Sequence, residues 1–284
     1  MFGKSRQGYY KQSKKAEKIT LNEQIVLEGV RAIRKKAKTE RWGVRKLHYL
    51  LNEELQCVNI KIGRDKLFDL LRENNMLVRK RKRKFFTTNS HHWLRKYDNL
   101  IVNKSITTPN QLWVSDITYI KISDDKALYL YLITDAYSQK IVGWSLSDDL
   151  KADSAVVALE MAIKNNKGKF LNLIHHSDRG VQYCSHKYVE RLNKNNVRIS
   201  MTSPGSPQEN AIAERLNGIL KEEWLNDLNR KSLSSGRTEL NEIIVIYNTY
   251  RPHQSLKYDT PENIHDNGFS RNETERVVGK MYEY

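Results

Sequence analysis

The feature that most constrains the fold lies after Pro109, where charged helical patterns give way to short runs rich in β-branched and aromatic residues. Three such runs follow one another with brief turn signals between them, at 112–122, 128–135 and 141–146. Runs of this composition are typical of strands, and tight turns between neighbouring strands favour antiparallel pairing. The sequence therefore predicts a β-meander at the beginning of its main domain.

Helix and strand patterns alternate after this meander. Helical spacing of apolar residues covers 152–166, 185–195 and 210–225, and the apolar runs at 170–176 and 197–200 are strand candidates. The resulting order is β-β-β-α-β-α-β-α. It predicts an α/β domain whose mixed sheet is flanked by helices, as in the ribonuclease-H-like fold.

The region before the meander has helical patterns only. Helices are predicted over 21–38, after Gly43, and over 63–74. Basic residues lie near the start of the last predicted helix. This arrangement resembles a helix-turn-helix motif, in which the last helix contacts DNA. A small three-helix unit that only packs on itself has the same pattern, so both interpretations stay open. The expected DNA contacts here are Arg45, Lys46, Arg64 and Lys66.

Positive charge is concentrated in the first third of the chain. Residues 1–100 hold 26 Lys and Arg against 10 Asp and Glu, whereas residues 101–284 hold 23 of each. A cationic front on a neutral body predicts a polyanionic partner, most simply nucleic acid, and a solvated lysine-rich surface is the alternative. Phe85, Phe86 and Trp93 could stack on bases or anchor the linker to protein. The run of cations expected to lie along phosphates is Arg79, Lys80, Arg81, Lys82, Arg83 and Lys84.

These patterns divide the chain into four parts. We expect a helix-turn-helix-like DNA-binding region at 1–78, a basic linker at 79–105, an α/β catalytic core at 106–230, and a helical C-terminal extension and tail at 231–284. The segment after Pro261 is expected to be surface structure or disorder.

Cysteine usage and hydropathy indicate a cytoplasmic protein. Cys57 and Cys184 cannot form a disulfide framework, and without a CxxC pair His91 and His92 do not predict a zinc site. No apolar run approaches the roughly 18 residues of a membrane helix. Residues 1–18 lack the apolar core of a secretory signal. We therefore expect no membrane partner.

Three carboxylates stand at positions that suit a shared site. Asp116 lies inside a strand, where burial is costly without a partner. Asp178 directly follows an apolar strand, where ligand-binding groups of α/β sheets gather. Glu214 lies on a helix face that also carries Gly218 and, two turns on, Lys221. Taken singly, the three acids could be an edge-strand aspartate, a turn-forming aspartate and a solvated glutamate.

Convergence of the three acids would define a particular chemistry. Carboxylates in one place repel one another and raise each other's pKa, and a divalent cation relieves that repulsion. Oxygen ligands suit Mg²⁺ or Mn²⁺. Two such ions can activate a nucleophilic oxygen and stabilise a leaving oxygen in phosphoryl transfer. The triad therefore predicts an enzyme that acts on phosphodiester bonds.

The spacing of these acids resembles a known catalytic domain. Asp178 and Glu214 have 35 residues between them, and Lys221 stands seven residues after the glutamate. This resembles the D,D(35)E domain of retroviral integrases and many transposases. The residues that flank the acids are similar to those of the second-frame protein, OrfB, of the insertion-sequence-three family. The matching segments are 5–10, 113–119, 176–180, 182–183, 210–211 with 213–214, 247–248 and 251–253.

The resemblance implies both a reaction and roles for residues. It implies two Mg²⁺ (or Mn²⁺) ions per site, donor-strand cleavage that leaves a 3′-OH, and strand transfer into target DNA. It also implies homo-oligomers on paired inverted-repeat ends. The implied metal ligands and catalytic residues are Asp116, Asp178 and Glu214; His176 and Asn210 would shape the site, and Lys221 and Arg251 would contact DNA.

One departure concerns the front of the chain. Members of this family usually act as a frameshift fusion whose upstream part carries the main end-recognising helix-turn-helix. This chain begins at Met1 without such a segment, so we expect an upstream-frame partner or fusion. The alternatives to a transposase are a non-catalytic DNA-binding regulator and a ribonuclease of the same fold.

Overall fold

The computed structural model describes residues 6–36, 38–79, 92–121, 127–167, 170, 172–203, 207–228 and 232–268. Five of the six cations expected to lie along DNA, Lys80, Arg81, Lys82, Arg83 and Lys84, fall outside these ranges, as do Phe85 and Phe86. The chain forms two compact units, 1–81 and 82–284. The expected four-part division is finer and stays a prediction.

The first unit consists of helices around an apolar core. The helices are α1 (Arg6–Lys35), α2 (Val44–Cys57) and α3 (Arg64–Glu73). Val30, Leu47 and Leu67 are fully buried where these helices meet. The Arg34 guanidinium donates to the carbonyl oxygens of Met76 (2.6 Å) and Trp42 (3.1 Å), which fixes the segments that follow α3 and precede α2.

Helix α1 is longer than the sequence pattern predicted, because it begins at Arg6 and not at residue 21. Apolar periodicity marks the part of a helix that is buried, and the lysine-rich first half of α1 offers no apolar stripe. Among the described helices, α1 included, none is both long and apolar enough to cross a bilayer.

The second unit is built on a five-stranded sheet with the order β3-β2-β1-β4-β5. Its strands are β1 (Leu112–Lys121), β2 (Ala127–Asp135), β3 (Ile141–Ser147), β4 (Ile174–Ser177) and β5 (Arg198–Met201). Strand β2 pairs antiparallel with β1 and β3, whereas β4 pairs parallel with β1 and β5. The predicted meander and the mixed sheet are both confirmed.

Helices cover both faces of this sheet. They are α4 (Ala152–Asn165), α5 (Val181–Cys184), α6 (His186–Lys194), α7 (Ala211–Glu223), α8 (Leu233–Thr249) and α9 (Pro261–Asn267). One core joins Tyr131 and Ile133 to residues of α4 and α6. The opposite core joins Leu130 and Leu132 to residues of α7 and α8. Since side chains alternate along β2, each strand supplies both cores.

Helix α4 approaches strand β3 closely at Gly143. A Cβ atom at this position would lie 2.2 Å from the carbonyl oxygen of Ala158, so no larger residue fits without moving the helix. The glycine thus sets the distance between α4 and the sheet.

Two further segments can be compared with the sequence prediction. Strand β4 begins at Ile174, later than the apolar run at 170–176 suggested. Of the two expectations after Pro261, surface structure or disorder, α9 fits the first, because Asn263, Asp266 and Asn267 are exposed. That helix is capped by the Thr260 hydroxyl, which accepts from the Asn263 amide, and it buries Ile264.

Candidate active site

Asp116 and Asp178 are brought together by the parallel pairing of β1 with β4. In this register Val114 lies opposite His176. Asp116 stands two residues after Val114 in β1, and Asp178 stands two residues after His176, just beyond the end of β4. Both aspartates therefore lie on the same face of the sheet as that pair. Neighbouring strands are about 4.8 Å apart. Register alone thus places two carboxylates side by side where β4 ends.

Each aspartate is oriented by hydrogen bonds. One Asp116 oxygen, Oδ1, accepts from the Ile117 backbone amide (2.9 Å), and Oδ2 accepts from Asn217 Nδ2 (2.6 Å). Asp178 Oδ1 accepts from the Gly180 amide at 2.9 Å. A Cβ atom at Gly180 would lie 2.9 Å from that same oxygen, so glycine leaves this carboxylate room.

Helix α7 adds the third carboxylate and a cation. Burial and, next in size, the charge of Asp178 raise the pKa of Asp116 to about 7, and Glu214 contributes in the same direction. Partial burial also raises the pKa of Glu214. Burial lowers the pKa of Lys221, while Asp116 acts to raise it. The three acids and Lys221 therefore belong to one electrostatic group.

Asn217 is a site residue that the sequence analysis missed. Its amide binds Asp116, and its Oδ1 is buried without a hydrogen-bond partner among the described residues. It stands one helical step from Glu214, which is the signal that could have identified it.

Asn210 and His176 take supporting positions. Asn210 Nδ2 donates to the Ser115 carbonyl oxygen (3.0 Å), which ties the start of α7 to β1 beside Asp116. His176 is buried, and its Nδ1 lies 2.8 Å from the Ser200 hydroxyl. Burial lowers the pKa of His176 to about 4, so its ring is neutral at physiological pH.

A second polar layer lies on the opposite face of the same strands. His175 Nε2 lies 2.6 Å from Ser115 Oγ and 2.9 Å from the Tyr188 hydroxyl. All three side chains are buried, and burial lowers the pKa of His175 to about 3. This neutral network fixes the backbone of β1 against β4 directly beneath the acids.

The structure describes some of the expected DNA contacts of the first unit. Arg45, Arg64, Lys66 and Arg79 are exposed, and Lys46 is partly buried. The Arg64 side chain lies 2.8 Å from that of Asp65, and Lys66 lies 3.5 Å from Glu23. Exposed pairs of this kind are weak and compatible with exchange for a phosphate, so these contacts stay predictions.

Arg251 does not occupy the position expected of a DNA contact. Its guanidinium donates to both carboxylate oxygens of Glu223, at 2.6 and 2.9 Å, and also lies 3.0 Å from His253 Nε2. The side chains of Arg251 and Glu223 are 7% and 9% exposed. The expectation is corrected here, because the arginine is buried in an ion pair between the end of α7 and the segment after α8.

The acid site suits a hard cation in its chemistry, although it is not a preformed cage. Within the part of the chain that the structure describes, no three His, Cys, Asp or Glu side chains are grouped closely enough to hold a metal ion. The atoms offered are oxygens, including the buried, unpartnered Oδ1 of Asn217. Oxygen donors beside mutually repelling carboxylates fit Mg²⁺ or Mn²⁺.

Comparison with known proteins adds family relationships to this geometry. Two models, both described as integrase core domain, match residues 106–207 and 195–261. The insertion element IS600 uncharacterized 31 kDa protein of Shigella sonnei is 35% identical over 92% of this chain and 94% of its own length. The transposase InsF of insertion sequence IS3fB from Escherichia coli strain K12 is 35% identical over 60% of this chain and 59% of its own length. The chain belongs to the insertion-sequence-three family of transposases.

Solved structures similar to this transposase include integrase catalytic cores. The HTLV-2 integrase catalytic core domain in complex with magnesium, in a trimeric form, has a TM-score of 0.44 and 22% identity over 56% of this chain and 97% of that one. The catalytic core domain of BIV integrase has a TM-score of 0.42 and 18% identity over 55% of this chain and 93% of that one.

Proposed function

We propose that this transposase cleaves DNA at transposon inverted-repeat ends to expose a 3′-OH and then joins that end to target DNA. Asp116, Asp178 and Glu214 are the proposed ligands of two divalent cations, Mg²⁺ or Mn²⁺. The observation that carries the proposal is that Asp116 and Asp178 each stand two residues beyond the paired Val114 and His176, with the pKa of Asp116 raised to about 7. A site that repels its own negative charge favours a bound cation.

The residues around the acids support this chemistry. When bound, the cations would activate the attacking oxygen and stabilise the leaving oxygen of the phosphodiester. Asn217 holds Asp116 in one orientation, and Asn210 fixes the start of the helix that carries Glu214. The Lys221 ammonium, in electrostatic contact with Asp116, would attract the backbone phosphate of the DNA.

Partners follow from the same proposal. A reaction that pairs two transposon ends needs more than one active site, so we propose a homo-oligomer assembled on DNA. We also propose an upstream-frame segment, fused or separate, that recognises the inverted repeats. The activity would take place at the bacterial nucleoid.

The test is cleavage of terminal-repeat DNA by the purified chain, alone and fused to its upstream frame, with and without Mg²⁺. Asp178→Asn and Glu214→Gln should each lower the cleavage rate by roughly a hundredfold or more, because each removes a charged ligand of the cations that would stabilise the transition state. Asp153→Asn and Glu190→Gln are matched controls, since both carboxylates are exposed, Asp153 beside Lys187 and Glu190 beside His186.

Three results would contradict the proposal. Undiminished cleavage by Asp178→Asn and Glu214→Gln would mean that the active site lies elsewhere. DNA binding without Mg²⁺-dependent cleavage would identify a regulator, and preference for an RNA–DNA hybrid would identify a ribonuclease.

A further inference from the structure

Trp93 differs from the other tryptophans of the chain in its exposure. All five are described, and the Trp93 side chain is 92% exposed, whereas Trp42, Trp113 and Trp224 are buried. Water contact over an entire indole ring is unfavourable, because burying a side chain of this size contributes at least about 2 kcal/mol. An indole exposed to this extent is available to stack on a planar partner.

The segment around Trp93 is held in place, so its exposure does not come from a loose backbone. His92 Nε2 lies 2.8 Å from the carbonyl oxygen of Arg179, and Lys96 Nζ donates to the carbonyl oxygen of His92 at 3.0 Å. Leu94 and Tyr97 pack against the core beneath α4 and α6. Neighbours on both sides of Trp93 thus anchor the segment, while the indole faces solvent.

The anchor point of this segment is next in the chain to an acid of the site. Arg179, which receives the His92 contact, directly follows Asp178 in the chain. A DNA strand whose phosphate reaches Asp178 therefore lies near the residue that His92, the neighbour of Trp93, contacts.

The charges around Trp93 identify the class of partner. Arg95 and Lys96 are exposed and Arg179 is partly exposed, and the acids in the same two stretches of chain are Asp98 and Asp178. An exposed aromatic ring among cations is the arrangement by which proteins bind single-stranded nucleic acid, with bases stacked on the ring and phosphates near the cations. A protein partner would leave this excess of positive charge unexplained.

We propose that Trp93 stacks on an unpaired base of the DNA strand that enters the acid site, close to the scissile phosphate. This inference rests on the proposed function, because it takes the DNA at the acid site as its substrate. It assigns to Trp93 a role in holding the separated strand, distinct from the metal-binding role of the three acids.

The test measures binding and tryptophan fluorescence of the full chain without divalent cations, so that no cleavage is needed. Two probes are used: a duplex with a single-stranded overhang that contains 2-aminopurine, and the blunt duplex of the same sequence. Trp93→Ala should weaken binding of the overhang DNA about tenfold, the loss of one base–aromatic contact, and leave the blunt duplex unaffected. Trp93→Phe should retain most of the affinity.

Fluorescence gives an independent readout. In the wild-type chain, binding of the overhang DNA should lower the fraction of tryptophan fluorescence that acrylamide can quench. Stacking should also quench the fluorescence of 2-aminopurine. Both effects should disappear in Trp93→Ala. Val157→Ala is the matched control, because Val157 is an exposed apolar residue on α4, 53% exposed, and should leave both readouts unchanged.

Three outcomes would overturn the inference: equal affinity of wild type and Trp93→Ala for the overhang, equal losses for both probes, or protection of Trp93 by self-association without DNA. Each is distinguishable from failure of the proposed function. If Trp93→Ala binds the overhang DNA as wild type does while the wild-type chain cleaves, the inference fails and the proposed function stands. If stacking is observed in a chain that never cleaves, the proposed function fails and the inference stands.

Discussion

The pKa of Asp116 is set by opposing influences within the site. Two donors, the Ile117 amide and Asn217, stabilise its charged form. Burial and the neighbouring charge of Asp178 outweigh them and raise its pKa to about 7. Near neutral pH and without a cation, this group is thus only partly ionised.

The first prediction concerns Asp116→Asn in the presence of a chelator. The pKa of Asp116 is about 7 in the folded chain, against 3.8 for an unperturbed aspartate. Between these two values the folded chain keeps a proton that the unfolded chain has released, so this group's contribution to stability falls as pH rises through the window. At pH 8 the variant should be more stable than wild type by roughly 1–3 kcal/mol, and the difference should vanish below about pH 4.

Urea unfolding of both proteins across this pH range measures the difference. Asp153→Asn serves as the control, because that carboxylate is exposed and pairs with Lys187. Identical stability of wild type and Asp116→Asn at pH 8 would contradict the raised pKa.

A second prediction concerns Asn217 as a positioning residue. Asn217→Ala removes a donor that stabilises the charged Asp116, so the pKa of Asp116 should rise further. The acidic limb of the pH–rate profile for cleavage should shift to higher pH, and activity should fall about 10- to 100-fold. Asn195→Ala is the control, because Asn195 Nδ2 donates only to Arg191 of its own helix region. A lower rate with an unshifted pH limb would indicate a structural role alone.

At the scale of elements, helix α7 is fixed to the sheet and its surroundings at three points. Asn210 binds the β1 backbone at its start, Asn217 binds Asp116 in its middle, and Glu223 binds Arg251 at its end. Leu216 and Leu220 pack into the core on that face. The position of Glu214 relative to the aspartates therefore depends on the whole helix.

A third prediction belongs to this helix. Arg251→Ala would remove the guanidinium that forms an ion pair with the buried Glu223 carboxylate, and we expect a loss of about 3–5 kcal/mol in the free energy of unfolding. Lys187→Ala, which breaks an exposed pair with Asp153, should cost less than about 1 kcal/mol. Denaturant unfolding compares the two. Unchanged stability together with weaker, less salt-dependent DNA binding would restore Arg251 as a DNA contact.

At the scale of the whole molecule, charge and chemistry belong to different units. Residues 1–81 hold 21 Lys and Arg against 9 Asp and Glu, whereas residues 82–284 hold 28 against 24. The second unit contains all three acids of the site. Phosphate binding by the first unit would supply affinity, and the second unit would supply the reaction.

The fourth prediction follows from this division. Removal of residues 1–81 should weaken DNA binding at low salt and flatten the slope of log affinity against log salt concentration, because fewer counterions are released. Fluorescence anisotropy with a labelled duplex measures both, with circular dichroism to verify that the shortened chain is folded. A slope equal to that of the full chain would mean that the second unit makes the phosphate contacts.

Much of this protein could be predicted from its sequence because the relevant patterns are local. Runs of β-branched and aromatic residues with short turns between them identified the meander, helical periodicity identified α4, α6 and α7, and their order indicated a mixed sheet. The spacing of Asp116, Asp178 and Glu214 pointed to one site, and the register of β1 with β4 is consistent with that for the two aspartates. Those features need no knowledge of distant contacts.

Only the tertiary structure decided what each exposed or buried side chain meets. Asn217 contacts Asp116 across 101 positions of sequence, Arg251 meets Glu223 across 28, and Trp93 stays in solvent while its neighbours pack. Periodicity predicts which face of an element is buried, but the identity of the partner depends on how separate elements pack. Arg251, which was expected to contact DNA, thus forms an internal ion pair with Glu223. Trp93, which could have anchored the linker to protein, is instead exposed to solvent.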